Sequence, residues 1–206
     1  MDAKASGTIE AVLADLPADR AGTRLHAIAG LAHFLDAGGP VGAVAAQALG
    51  RNCFPVRAIL FDKTGKTNWS LGWHQDRTIV VRERVDEPGF GPWTVKSGLL
   101  HVAPPVDVLA AMVTLRVHLD AVPSTNAPLL IARGSHRFGM VAERDIDRVV
   151  AESKIAVCLA ERGDIWLYRT LILHASAAAE EPQRRRVLQV DYAAASLPGG
   201  LSFLGI

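Results

Sequence analysis

Two hydrophobic rhythms divide the chain near residue 50. Before it, apolar positions recur every three or four residues, so 8 to 16, 22 to 37 and 41 to 49 read as helices. The second presents Leu25, Ile28, Leu31, Ala32 and Leu35 on one face and stops at Gly38-Gly39-Pro40. From Cys53 onward the apolar residues gather in short runs bounded by turn residues, the mark of strands. Val56 to Phe61, Trp69 to Trp73, Met112 to Leu119, Ile165 to Leu173 and Val187 to Tyr192 are the clearest. Helical spacing returns only at Val106 to Ala111 and at Ala142 to Ser153, where Ile146, Val149 and Val150 form a stripe. The pattern predicts a single, mainly β domain over 1–206: a helical buttress at 1–50 against one outer face, and a β core at 53–193. The connection from Arg77 to Pro105, rich in Pro and Gly, has the length of a lid or binding loop.

Composition adds little beyond exclusions. With 206 residues, 50% hydrophobic and 21% charged, the chain is of globular type, and a formal net charge of +1 argues against a nucleic-acid surface. Met1-Asp2-Ala3-Lys4 opens no apolar signal core and no stretch is long enough to span a bilayer, so a cytoplasmic location without membrane contact is expected. Cys53 and Cys158 have no metal-type spacing and are expected to be reduced thiols.

The chemistry concentrates at two places. His74-Gln75-Asp76 follows a β-like run, and alternate strand residues share a face, so an imidazole and a carboxylate can reach one ion. His174, 98 residues after Asp76, must come from a second strand across a barrel or sandwich. Two histidines and one carboxylate on one side of a metal leave positions open for a chelating cosubstrate and O₂, as in non-heme iron oxygenases. The triplet alone is weak evidence. Its context is stronger: Gly163-Asp164 turns the chain into the run that delivers His174, and Arg184-Arg185-Arg186 opens a strand one loop later, where a dicarboxylate needs a guanidinium fork. Thr64-Gly65-Lys66-Thr67 looks like the end of a phosphate loop, but Leu60 stands where that loop needs glycine.

In this order, Trp73-His74-Gln75-Asp76, Leu115 to Asp120, Asn126-Ala127-Pro128-Leu129, Gly134-Ser135-His136, Gly163-Asp164, His174-Ala175-Ser176 and Arg184 to Leu188 resemble the phytanoyl-CoA dioxygenase family of Fe(II)- and 2-oxoglutarate-dependent oxygenases. The resemblance covers residues 53 to 193. It implies a double-stranded β-helix, the jelly roll or cupin-like barrel, with His74, Asp76 and His174 on iron. It also implies that Ser176 and the arginine eleven residues after His174, Arg185, bind the far carboxylate of 2-oxoglutarate. Asp76 favours hydroxylation, since related halogenases have a small residue there. The chain departs from the family's Asn-Gly-Pro at Ala127, which removes an easy left-handed residue from that turn.

Other residues draw weaker expectations. Arg116 and His118 share a polar strand face that lines a cavity in a barrel. Trp73, Trp93 and Arg116 are candidates for the substrate pocket, with Phe90 beside them, and His101 is a loop residue that can face substrate. The expected partners are a small-molecule substrate and, at most, a second copy of the chain, as monomer or homodimer. Two competing readings keep the same triad: a cupin-like metal hydrolase or isomerase, and a metal-binding barrel without turnover.

Overall fold

A computed structural model describes residues 1, 3–17 and 22–206, with the side chains of residues 3 and 4 left aside. In chain order the elements begin with α1 (Ala3–Val12), β1 (Thr23–Leu25), α2 (Ala32–Leu35), α3 (Gly42–Leu49) and β2 (Phe54–Lys63). Then come β3 (Leu71–His74), β4 (Ile79–Val81), β5 (Trp93–Lys96), β6 (Leu99–Val102), α4 (Val106–Ala110) and β7 (Val113–His118). The last are β8 (Leu129–Ala132), α5 (Ile146–Ala151), β9 (Ile155–Cys158), β10 (Ile165–Arg169), β11 (His174–Ser176) and β12 (Arg185–Ala193).

Two antiparallel sheets, β1-β2-β12-β7-β10 and β3-β11-β8-β9, form the jelly roll, and a third, β4-β6-β5, is built from the insert. They do not close into one continuous barrel. Strand parity explains the division of labour in the large sheet. Leu188, Val190 and Tyr192 face outward and join Ala58, Leu60, Leu115 and Val117 in a core covered by Ile9, Leu31, Leu35, Val41 and Ala45. Arg57, Thr114, Arg116, Arg185, Gln189 and Asp191, on the opposite parity, are buried with their polar ends turned into the space between the sheets.

Three expectations about the elements change. Residues 22 to 37 are not one helix: Thr23–Leu25 pairs with β2 and only Ala32–Leu35 is helical. Ala27 and Gly30 at positive φ interrupt the helix, while Leu25, Leu31 and Leu35 still bury. Ile165 to Leu173 is likewise not one strand. It leaves the large sheet after Arg169, turns a buried corner at Thr170 to Leu173, and enters the small sheet at His174. The insert is a folded sheet rather than an open loop. Ile79 and Val81 pack with Val102, Leu197, Leu201 and Phe203, and Ser97-Gly98, both at positive φ, make the tight hairpin turn between β5 and β6.

The two cysteines are buried and free, and among the described residues no helix is long and apolar enough to cross a membrane.

Candidate active site

His74 and His174 are direct partners across the β3–β11 pair, which carries out the long-range encounter that the sequence only required. Their ring centroids lie 4.2 Å apart. Two imidazoles bound at right angles to one ion, with metal–nitrogen bonds of about 2.1 Å, place their centroids about 4.5 Å apart. Each ring also has its tautomer fixed. Nδ1 of His74 donates to the Gly72 carbonyl at 2.8 Å and Nδ1 of His174 to the Ile172 carbonyl at 3.0 Å, which leaves both Nε2 lone pairs available. Burial pushes His174 down to about 4, so it is a neutral imidazole at neutral pH, the form that coordinates metals.

β3 ends at His74 and the extended chain continues, with Gln75 turned away from the rings. Its amide donates to the carbonyls of Gly139 (2.9 Å) and Leu171 (2.6 Å) and accepts from the Val141 amide (2.9 Å), a buried cross-brace that fixes the residues on either side. Asp76 meets Arg57 at 3.2 Å and Gln189 at 3.2 Å. Burial opposes its ionisation, but Arg57, with His174 and His74, holds its carboxyl well below the ordinary carboxylate value. Arg57 is shared with Asp191, which Thr114 Oγ1 also contacts at 2.9 Å. Burial, and the neighbouring Asp76, push Asp191 upward against the opposing pull of Arg57. Among the described residues no three His, Cys, Asp or Glu side chains already stand as a metal cluster, because the Asp76 carboxylate is turned onto Arg57 and Gln189.

The cavity containing His74, Asp76 and His174 is small, about 80 Å³, and is also lined by Lys63, Trp69, Arg116, Ser176, Arg185 and Gln189. Of the three consecutive arginines, alternation turns Arg185 inward, where Nη1 donates to the Ala127 carbonyl. Arg184 forks onto Asp62 and Arg186 onto Asp120, on the other face. Ser176 Oγ lies 3.3 Å from the same Ala127 carbonyl and 3.4 Å from Lys63 Nζ. Burial and the neighbouring Arg116 lower Arg185 to about 10. Burial, then Arg185 and Arg116, lower Lys63 to about 8. Among the described residues none of these three cations has an ion-pair partner, and Asp76, the carboxylate on the same wall, is held by Arg57, the signature of a preformed anion receptor.

Ala127 has a left-handed φ of +52° despite its Cβ, the conformation a glycine adopts more easily, and its carbonyl is aimed at Arg185.

Lys63, Arg57 and Trp69 were missed at the sequence level, although a lysine and an arginine inside the apolar run of β2 were a visible signal. Trp73 and Trp93 stand elsewhere than expected. Trp73, next to His74 in β3, faces the opposite way onto Leu173, Val141 and α5, as strand parity requires. Trp93 and Phe90 pack against the core that the insert shares with the C-terminal segment, with the Arg84 guanidinium 5.4 Å from the Trp93 ring. His101 lies on β6 rather than in a loop and is fully buried, while Arg116 does line the cavity.

The sequence model of the phytanoyl-CoA dioxygenase (PhyH) family matches residues 5–187. The chain belongs to that family. No curated protein is significantly similar to it in sequence. Among solved structures, EctD from S. alaskensis with bound Fe is 20% identical with a TM-score of 0.62, over 93% of this chain and 66% of that one. SnoK, a non-heme alpha ketoglutarate dependent carbocyclase from nogalamycin biosynthesis, is 14% identical with a TM-score of 0.65, over 100% of this chain and 80% of that one. AviO1 from Streptomyces viridochromogenes Tue57 is 19% identical with a TM-score of 0.53, over 76% and 58%. At these identities the likeness establishes the jelly-roll fold. The chain spans 58% of the length of AviO1 and 66% of that of EctD.

Proposed function

We propose that this PhyH-family protein is an Fe(II)- and 2-oxoglutarate-dependent dioxygenase that hydroxylates a small organic molecule, with His74, Asp76 and His174 as the metal ligands. The observation that carries the reading is the pairing of His74 with His174 beside an ionised Asp76, with both Nε2 atoms free, in one cavity with three unpaired cations. The donor set fits a divalent iron: two neutral nitrogens and one carboxylate. Turning Asp76 from Gln189 toward the rings completes it, and Arg57 keeps a buried carboxylate partner in Asp191. Iron and its cosubstrate supply the oxygen activation and the redox chemistry.

The rest falls to the chain. Arg185 offers a fork and Lys63 a point charge to the far carboxylate of 2-oxoglutarate, with Ser176 Oγ adding a hydrogen bond. The small volume of the cavity suits a five-carbon diacid. Ile59, Phe61, Leu129 and Ala175 make the walls apolar, which excludes water and strengthens the charge pairing. Solved relatives support the reading, since EctD has been crystallised with 2-oxoglutarate and 5-hydroxyectoine. The test is anaerobic titration of the Fe(II)-loaded protein with 2-oxoglutarate. A weak visible charge-transfer band, absent in His174→Ala, is expected. Zinc-supported hydrolysis or isomerisation with no response to 2-oxoglutarate would replace this reading with a water-activating metal site.

A further inference from the structure

A second and larger cavity, about 440 Å³, meets the first at Ile59, Phe61, Leu71, His74 and Asp76. That volume is in the range of sites for small organic ligands. Its other walls come from the open edge of the large sheet, through Arg24, and from the insert, through Arg77, Thr78, Lys96 and His101. Arg24 sits opposite Ile59 in the β1–β2 pair and therefore shares its inward face. Nη1 of Arg24 reaches Ser97 Oγ at 3.1 Å, and its Nε is buried without a partner. Arg77 Nη2 donates to the Val141 carbonyl at 2.7 Å.

The charge in this lobe is one-sided. Among the described residues, none of Arg24, Arg77 and Lys96 takes part in an ion pair. Asp76, the one carboxylate on its wall, is already held by Arg57. His101 registers the field: burial, then Arg24, Arg57 and Lys96, push it down to about 4. At the junction with the first cavity Ile59, Phe61 and Leu71 form an apolar wall beside His74 and Asp76. Cations at the rim and an apolar passage toward His74 and Asp76 make an amphiphilic receptor.

We propose that this lobe is the substrate site and that the substrate is an organic oxyanion, a carboxylate or a phosphate ester, whose charged group rests on Arg24, Arg77 and Lys96 and whose apolar end points to His74 and Asp76. The proposal rests on the oxygenase reading for the identity of the reacting centre, and on the second cavity alone for the charge of the ligand.

The test uses octanoate, octyl phosphate and octanamide as probes, titrated calorimetrically into anaerobic Fe(II) protein with saturating 2-oxoglutarate, so that the first cavity is filled. At least one anionic probe is expected to bind tenfold or more tightly than octanamide, with the gap narrowing as salt is raised. Octanoate leading identifies a carboxylate, and octyl phosphate leading a phosphate ester. Arg24→Gln and Lys96→Gln should each narrow the gap severalfold. Lys96 is exposed, so its variant probes the lobe with little risk to the fold. Equal binding of all three probes, or an undiminished gap in both variants, overturns the proposal. If the charge preference holds but the 2-oxoglutarate band never forms, the anion lobe stands and the oxygenase reading falls. If the band forms without a preference, the reverse follows.

Discussion

Replacing each of the three consecutive arginines by glutamine separates the cosubstrate role from simple charge. Arg185 is 3% exposed and shares its cavity with Lys63 and Arg116, while its neighbours face outward onto Asp62 and Asp120. A charge-assisted hydrogen bond in such a site is worth roughly 1.5–3 kcal/mol, which is about ten- to a hundredfold in affinity. Because Lys63 remains beside the site, Arg185→Gln is expected to weaken 2-oxoglutarate by about tenfold, and the Lys63→Met/Arg185→Gln double variant by more than the single. Arg184→Gln, whose half-exposed guanidinium points away from the cavity, should change it by less than about threefold. Arg186→Gln should instead cost stability, about 1 kcal/mol, through its fork on Asp120. Burial opposes ionisation of Asp120, but hydrogen bonds from Arg186 hold its carboxyl below the ordinary value of 3.8. That contribution is present above about pH 4 and is lost as pH falls further, so the stability gap between wild type and Arg186→Gln should close in acid. The assay is anaerobic titration of the Fe(II) protein, following the chelate band, with urea unfolding in parallel. A large loss at Arg184 or Arg186 with Arg185 silent would refute the assignment.

Other consequences are separable. His74→Ala, Asp76→Ala and His174→Ala should each abolish Fe(II) binding, measured by metal analysis after desalting, while the protein stays folded by circular dichroism. Asp76→Ala is the sharpest of these, because Arg57 keeps Asp191 and no buried charge is stranded. Lys63→Met should weaken 2-oxoglutarate yet stabilise the metal-free protein at pH 7 by about 1 to 2 kcal/mol, allowing for partial solvent access of the ammonium. A lysine whose pKa falls to about 8 on folding penalises the fold while it is charged. The difference from wild type should therefore be full below pH 8 and vanish toward pH 10.5, as denaturation at several pH values would show. Ala127→Gly should relieve the strain of the left-handed residue, raising stability by about 0.5–1 kcal/mol and Tm by about 1–4 °C, with 2-oxoglutarate binding retained.

What the sequence made legible follows from strand parity and what it hid follows from packing between distant segments. His74 and Asp76 flank a residue that must point elsewhere, so a period of two was enough to put them on one side; for the three arginines alternation allows either the middle one or the outer two to face inward, and the spacing from His174 that the family resemblance implies selected Arg185. The same rule, applied to Trp73, would have removed it from the pocket, since it adjoins His74. The N-terminal leucines show the limit of periodicity: Leu25, Leu31 and Leu35 bury as a helix stripe would, but a strand, a left-handed residue and one helical turn produce the same burial. The strands of the insert were hidden because its prolines and glycines outweigh three short runs whose packing partners, Leu197, Leu201 and Phe203, lie far along the chain. The cations of the second cavity were invisible for the same reason. Arg24, Arg77 and Lys96 belong to three different segments, and only the pairing of β1 with β2 and the folding of the insert bring them around one volume. Charge that is balanced along the sequence, at a net +1, is therefore compatible with a strongly one-signed site. Local field, which governs which ligand enters, depends on which residues lose their counter-ions on folding rather than on the total.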